Sequence, residues 1–431
     1  MLDLTSLRAD AEYYRRSWSD RGLEVDVTVL LALDERVRGL KHRAETLKAE
    51  VNNASKAIAQ AARSGQDVQA AKDKARELGA AIKAVDDERL VAERELETQL
   101  LMLPNICLPG VPRGADAAAN VVVSTWGTAP SFAFTPKPHW ELAPALGIMD
   151  FERATKLSGS GFVVLKGQGS RLSRGLINWF LDVHTREHGY TELGVPLLVQ
   201  PQIMVGTAQL PKFADQSYRC KDDELWLIPT AEVPVTNLHA GEILEAERLP
   251  ILYTAHTPCF RREAGAAGVG TRGMTRVHQF DKVEMVWLTL PERSEADLLT
   301  MRGHAERLLR DLGLHYRVLE LCTGDTGFGS AHTYDLEVWS PGTGTWLEVS
   351  SCSIFTDFQA RRAGLRAREK NGKPRFIHTL NGSGLALPRT MIALLETYQQ
   401  ADGSVELPAI LAPYLGECRM ARPLADRRAS G

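Results

Sequence analysis

Cysteine is scarce and unpatterned in this chain. Six residues, Cys107, Cys220, Cys259, Cys322, Cys352 and Cys418, are scattered through 431 positions with no CxxC pair and no regular interval. That argues against a disulfide scaffold and against a zinc site built from thiolates. Long apolar runs are missing too, and none approaches the roughly 20 residues of a membrane-spanning helix. The opening residues, MLDLTSLRAD, hold neither a basic stretch nor an apolar one, so no signal peptide is expected and the expected compartment is the reducing cytoplasm. No GxGxxG joins a strand to a helix and no GxxxxGK[ST] occurs, which argues against Rossmann and P-loop nucleotide sites. A surplus of positive charge is also lacking: 51 Lys and Arg stand against 54 Asp and Glu, a formal net charge of −3. Any contact with nucleic acid must then come from a local basic surface.

What the sequence does have, near its start, is regular periodicity. Leu30, Leu33, Val37, Leu40, Ala44, Leu47, Val51, Ala54, Ile58 and Ala61 advance by steps of three and four, and Ala71, Ala75, Leu78, Ile82, Val85, Ala92 and Leu96 repeat the pattern with one defect at Arg89. Such steps define a coiled-coil seam, because only a period near 3.5 keeps the apolar side chains on one face. Ser64-Gly65-Gln66-Asp67 supplies a helix stop and then a capping Asp. Two antiparallel helices over about 27–101 follow, reaching roughly 50 Å at about 1.5 Å per residue. The first helix is basic, with Arg36, Arg38, Lys41, Arg43, Lys48 and Lys56, and the second is rich in acids. A solvated charged face and an arm that tracks phosphates both fit that distribution.

Pro104 closes the hairpin, and the Pro/Gly/Ala-rich run over 105–120 reads as a linker. Alternating strands, turns and amphipathic helices then continue to about residue 416, and the Arg-rich segment 417–431 is expected to be disordered. Two runs, Phe260-Arg261-Arg262-Glu263 and Arg276-Val-His-Gln-Phe280-Asp-Lys-Val-Glu284, flank a Gly-rich loop and suggest a β-hairpin with Arg and Glu on one face. Trp346-Leu-Glu348-Val-Ser350-Ser351-Cys352-Ser353 sets a carboxylate and hydroxyls on a strand. Asn381-Gly-Ser383-Gly-Leu-Ala-Leu-Pro388-Arg389 leads into an apolar helix, with Pro388 suited to its first turn.

These residues resemble the class II aminoacyl-tRNA synthetases in their seryl, bacterial form. Arg261 through Glu284 is similar to motif 2, Asn381 through Arg389 to motif 3, and the helix-then-strand segment Arg171 to Pro196 to motif 1, the usual dimer contact. Gln209-Leu-Pro-Lys-Phe213, Pro229-Thr-Ala-Glu-Val-Pro234 and Asp357-Phe-Gln-Ala-Arg-Arg362 are further seryl-type marks. The resemblance implies an α+β catalytic fold over 121–416, an antiparallel six- to eight-stranded mixed sheet flanked by helices, behind an N-terminal tRNA-binding domain (1–104) with a two-helix arm. It implies a homodimer that activates L-serine with ATP and Mg²⁺ and passes it to tRNA(Ser), the family's range admitting tRNA(Sec).

Roles carry over residue by residue. Arg261 would bridge the α-phosphate and the serine carboxylate, Arg276 and Arg389 would hold the γ-phosphate, Phe280 would stack on adenine and Glu263 would face the adenosine. Glu348 and Ser351 would hold Mg²⁺, with Arg261, Arg389 and Glu348 the catalytic set. Serine would be read by Thr230, Glu232, Arg261, Glu284, Asn381 and Ser383. Context then turns Arg36, Arg38, Lys41, Arg43, Lys48 and Lys56 into a tRNA-binding surface.

The sequence departs from the family pattern at four places. Arg262 stands where serine is common, Ala208 replaces a glycine, Ile354 takes the place of a frequent Asn, and Pro388 precedes the motif 3 arginine where Gly is usual. Drift and a remodelled second copy that evades a seryl-adenylate-like antibiotic both account for them. A homologue loading a carrier protein would lack the long arm, and a non-catalytic coiled-coil adaptor would have lost the phosphate arginines.

Overall fold

The computed structural model describes residues 1–65, 67–264 and 272–422. They form two compact units, Leu2–Pro104 and a larger one from Asn105 onward.

In the first unit, α1 (Leu4–Ala9) and α2 (Ala11–Ser19) start at Asp3 and Asp10, whose carboxylates accept the Thr5 and Tyr13 backbone N–H groups. Trp18 is fully buried and donates its ring N–H to the Pro104 carbonyl at 3.0 Å. The arm consists of α3 (Val27–Arg63) and α4 (Gln69–Leu101). Asp67 caps α4 from two residues upstream, accepting the Gln69 N–H at 2.9 Å. Leu30, Val37, Leu40 and Ala44 of α3 and Val85, Ala92, Leu96 and Leu100 of α4 are buried. Toward the turn, Leu47, Val51, Ala54, Ile58, Leu78 and Ile82 are only half-buried, since two helices alone cannot enclose a seam. Arg89, the defect in the repeat, is held by Asp86 at 3.2 Å and Glu93 at 2.8 Å. Asp34, beside the half-buried Leu33, is buried and taken up by Arg8 and Arg38, each at 2.9 Å.

The second unit is built on an eight-stranded sheet of β1 (Val121–Trp126), β2 (Thr191–Glu192), β3 (Ile251–Phe260), β4 (Gln279–Thr289), β5 (Tyr316–Glu320), β6 (His332–Ser340), β7 (Thr345–Ile354) and β8 (His378–Ala386), in the order β1-β5-β6-β7-β8-β4-β3-β2. Every pairing is antiparallel except β2 with β3. Three helices, α5 (Gln168–Arg186), α6 (Ser294–Asp311) and α7 (Leu387–Thr397), bury Leu172, Leu176, Trp179, Phe180, Leu298, Met301, Leu308, Met391 and Leu394 in one core with Val283, Met285 and Leu336 of the sheet. The expected hairpin is β3 with β4, in register from Ile251↔Leu288 to Phe260↔Gln279; most of its Gly-rich loop, 265–271, lies outside the described residues.

Two boundaries differ from the sequence reading. The expected linker packs on the second unit: Asn105 is buried, its side chain donating to the Gly329 and Phe355 carbonyls at 3.0 and 2.9 Å. The Leu108 N–H reaches the Ala331 carbonyl at 2.8 Å and Val111 is buried. Pro and Gly limit regular structure there to one short 3-10 turn, Ala117–Ala119, but they do not exclude packing. The expected disordered tail begins too early as well. Arg419–Met420 pairs antiparallel with Val405–Glu406, Met420 is buried, and Arg419 bonds Asp402 at 2.8 Å. One apolar residue among arginines leaves no periodic signal. The rest of that segment, 423–431, lies outside the described residues. Among those described, no helix is long and apolar enough to cross a membrane.

Candidate active site

One face of the sheet floors a cleft of about 540 Å³. Its lining includes every residue that the motifs nominate for ATP, serine and the metal: Thr230, Glu232, Arg261, Glu263, Arg276, Phe280, Glu284, Glu348, Ser351, Asn381, Ser383 and Arg389. Strand periodicity explains β4, where Phe280, Lys282 and Glu284 line the cleft while Val283 and Met285 enter the core behind it. On β7 the spacing of Glu348 and Ser351, three residues, would place them on opposite faces of a regular strand. A β-bulge resolves this. The register jumps from Leu336↔Ser350 to Glu337↔Glu348, leaving Val349 unpaired, so that the strand is re-phased and both side chains reach the cleft.

The arginines are held in different ways. The Arg261 Nε donates to the Pro229 carbonyl at 3.2 Å, and its guanidinium carbon lies 5.2 Å from the centre of the Phe280 ring. Arg276 meets Glu263 at 3.3 Å. Arg389, in the first turn of α7, donates to the Glu348 carbonyl at 2.8 Å and approaches the Glu348 carboxylate at 3.4 Å. The last two pairs are partly exposed, so each contributes only about 0–1 kcal/mol and can give way to a phosphate.

Deeper in the cleft three of the serine-type residues, Thr230, Glu284 and Asn381, form one side-chain network. Glu284 accepts from Thr230 at 3.0 Å and from Asn381 at 3.2 Å, and forms a close ion pair with the buried Lys282. Glu232 is buried, and its only side-chain donor among the described residues is Gln359, at 2.6 Å. Burial first and the Glu284 charge second push the Glu232 carboxyl up to about 7, against the pull of Gln359, Lys282 and Arg261. Lys282 and Gln359 carried no role in the sequence reading. The available signal for Lys282 was its position between Phe280 and Glu284 at a spacing of two.

A third missed residue is Asp335, opposite Ser351 in the β6–β7 ladder. Burial, then the Glu348 charge, drives its carboxyl well above the usual range despite a hydrogen bond with Ser351, and its Oδ1 has no partner among the described residues. The donor set at Glu348 and Ser351 is oxygen-only. Among the described residues no three His, Cys, Asp or Glu gather to cage an ion, so a cation there would complete its shell with substrate phosphate and water, as Mg²⁺ does.

The four departures fall into distinct environments. Ala208 has φ +64°, the left-handed region that suits the glycine it replaces and costs alanine about 1–2 kcal/mol. Pro388 sits in the first turn of α7, where no N–H is required. Ile354 is buried in the main core and Arg262 is exposed.

The arm cations also differ in setting. Arg36 pairs with Glu88 and Glu95 at 3.4 and 3.9 Å, Lys41 with Glu93 at 3.1 Å, Lys48 with Asp86 at 3.3 Å, and Arg38 with Asp34 of its own helix. Arg43 and Lys56 have no ion pair among the described residues.

An antiparallel sheet carrying arginines and carboxylates from motif-like strands defines the class II aminoacyl-tRNA synthetase core, and residues 218–398 match the model of the tRNA synthetase class II core domain (G, H, P, S and T). Residues 1–107 match the seryl-tRNA synthetase N-terminal domain. The chain is 51% identical to the serine–tRNA ligase of Oleidesulfovibrio alaskensis over 98% of its own length and 99% of that protein. It is also 51% identical to that of Geobacter sulfurreducens, over 96% and 99%. A crystal structure of seryl-tRNA synthetase from Pyrococcus horikoshii, complexed with ATP, superposes with a TM-score of 0.91 at 36% identity, covering 98% of this chain and all 100% of that one. The chain belongs to the seryl-tRNA synthetase family. These matches give no support to a carrier-protein homologue or to an antibiotic-insensitive second copy.

Proposed function

We propose that this protein is a serine–tRNA ligase that activates L-serine with Mg²⁺-ATP to seryl-adenylate and transfers the seryl group to the 3′ end of tRNA(Ser), acting as a homodimer in the cytoplasm. The convergence of residues from five separate chain segments on one cleft carries this reading.

The serine carboxylate is already ionised, so its in-line attack on the α-phosphate needs no general base. The protein's task is to gather anions, align them and offset charge as pyrophosphate departs. Arg261, between the Thr230–Glu232 wall and Phe280, offers a planar fork to both reacting groups. Arg276 and Arg389 would exchange Glu263 and Glu348 for the γ-phosphate. Glu348 and Ser351 would hold Mg²⁺, which would supply charge neutralisation at the phosphates. Glu232 would pair the substrate ammonium, while Glu284, aided by Asn381 and Ser383, would accept from the hydroxyl. Buried acceptors left unpaired would reject alanine by roughly 10⁴-fold. Threonine would be excluded by size. The arm would grip the tRNA by shape and phosphates, and α5 with β2 would make the dimer contact.

ATP–pyrophosphate exchange with serine, threonine, alanine and cysteine, followed by charging of tRNA(Ser) and tRNA(Sec), tests the assignment. Serine alone is expected to drive rapid exchange; equal exchange with alanine would overturn it.

Acidification gives an independent check on Glu232. Its carboxyl titrates at about 7, and only the ionised form attracts an ammonium. The KM for serine is expected to rise about tenfold for each pH unit below that value, with the KM for ATP nearly flat. A serine KM that stays constant between pH 6 and 8 would remove Glu232 from ammonium binding.

A further inference from the structure

Lys282 ties two of the cleft's serine-end residues, Thr230 and Glu284, to each other. Its side chain is buried, its ammonium donates to the Thr230 hydroxyl at 2.9 Å, and it forms an ion pair with Oε2 of Glu284. Thr230 donates to that same oxygen at 3.0 Å, which closes a triangle of lysine, threonine and glutamate. Asn381 takes the other carboxylate oxygen at 3.2 Å. A buried ammonium is tolerated only when paired, and this one is paired inside the cleft.

Charge balance gives the pairing a purpose. Two carboxylates, Glu232 and Glu284, and two cations, Lys282 and Arg261, act on one another at this end of the cleft. The thiols of Cys259 and Cys352, which also face Glu284, are pushed up by burial and add no charge. With Glu232 ionised the set sums to zero, as does an amino-acid zwitterion. With the substrate ammonium on Glu232 and its carboxylate on Arg261, Glu284 and Lys282 remain as an internal pair.

We propose that Lys282 is a positioning and specificity residue for the amino acid: it clamps Thr230 to Glu284 so that this carboxylate faces the substrate hydroxyl, and its charge reserves Glu232 for the ammonium. This rests on the serine-activation reading and deepens it. Without Lys282, two carboxylates compete for a single substrate ammonium, and Glu284 is free to turn toward it.

The test is serine- and alanine-dependent exchange by the full-length enzyme and its variants at pH 6 to 8.5. Lys282→Met, of similar length and uncharged, is expected to raise the serine KM by about 30-fold or more and the ATP KM by less than about twofold. Its preference for serine over alanine is expected to fall by at least about tenfold. The acid limb of its serine KM should move to higher pH, because Lys282 is one of the charges that hold the Glu232 carboxyl down. Lys282→Arg keeps a buried cation and should therefore retain the original limb. Its wider fork should still spread the clamp and weaken serine-over-alanine preference by at least about threefold. Equal KM changes for serine and ATP in the methionine variant, or wild-type preference in the arginine variant, overturn the proposal. If Lys282→Met does not fold, the arginine variant decides. Absence of serine-dependent exchange in the unmodified enzyme sinks the activity and this role together; normal exchange with variants that fail to split the two substrates sinks only the role of Lys282.

Discussion

Replacing Arg261 by lysine should lower kcat for serine-dependent pyrophosphate exchange by about 10²–10³-fold, the usual loss when one preorganised charge-stabilising donor is removed. The expected size follows from where this side chain is fixed. Its Nε is anchored to the Pro229 carbonyl and its plane approaches the Phe280 ring, leaving the terminal nitrogens to span the reacting carboxylate and phosphate. Lysine keeps the charge but loses both the anchor and the fork. Because charge shifts between those groups only as the bond forms, the deficit belongs in kcat more than in KM. Arg276→Lys is the comparison. That side chain is half exposed and paired with Glu263, so the same change should mainly raise the KM for ATP, by about tenfold or less. Equal deficits in kcat at both positions would contradict the roles assigned to them.

How much of this was legible in the sequence depends on whether a feature is local. The arm was legible, because steps of three and four need only one helix to be recognised. That its seam is fully buried near Leu30 and Leu100 and half-exposed near Ile58 was not, since enclosure depends on neighbours. The cleft-facing residues of β4 follow from a period of two. Glu348 and Ser351 do not, because the bulge at Val349 arises from pairing with a strand whose register the sequence does not display. The Lys282–Thr230 bond joins residues 52 positions apart, and the upward shift at Glu232 needs both enclosure and the approach of Glu284. Ala208 was legible only as an anomaly; its φ of +64° supplies the reason a glycine would suit that turn. Composition misled at 105–120 and at Arg419–Met420, where it reported irregularity and the chain is nonetheless packed.

Excising residues 46–84 and rejoining the helices through a short Gly-rich turn should leave exchange within about twofold of normal and lower kcat/KM for tRNA charging by about 10³-fold, the order by which six to ten phosphate contacts alter affinity across ordinary salt. The cut spares the buried base, Leu30 to Ala44 and Val85 to Leu100, so the first unit keeps its core while Lys48 and Lys56 are lost. The structure also sharpens the competing view that these cations merely zip the hairpin. Arg36, Lys41 and Lys48 do bridge to acids of α4, but exposed pairs of this kind contribute about 0–1 kcal/mol and can be exchanged for phosphates at little cost. Arg43 and Lys56, with no ion pair among the described residues, have nothing to exchange. Reversing these two charges should therefore damage charging without lowering the melting temperature of the arm, and the damage should shrink as salt rises. If Arg43→Glu with Lys56→Glu charges tRNA(Ser) at the normal rate in low salt, the basic face is a solvated surface and the tRNA is held elsewhere.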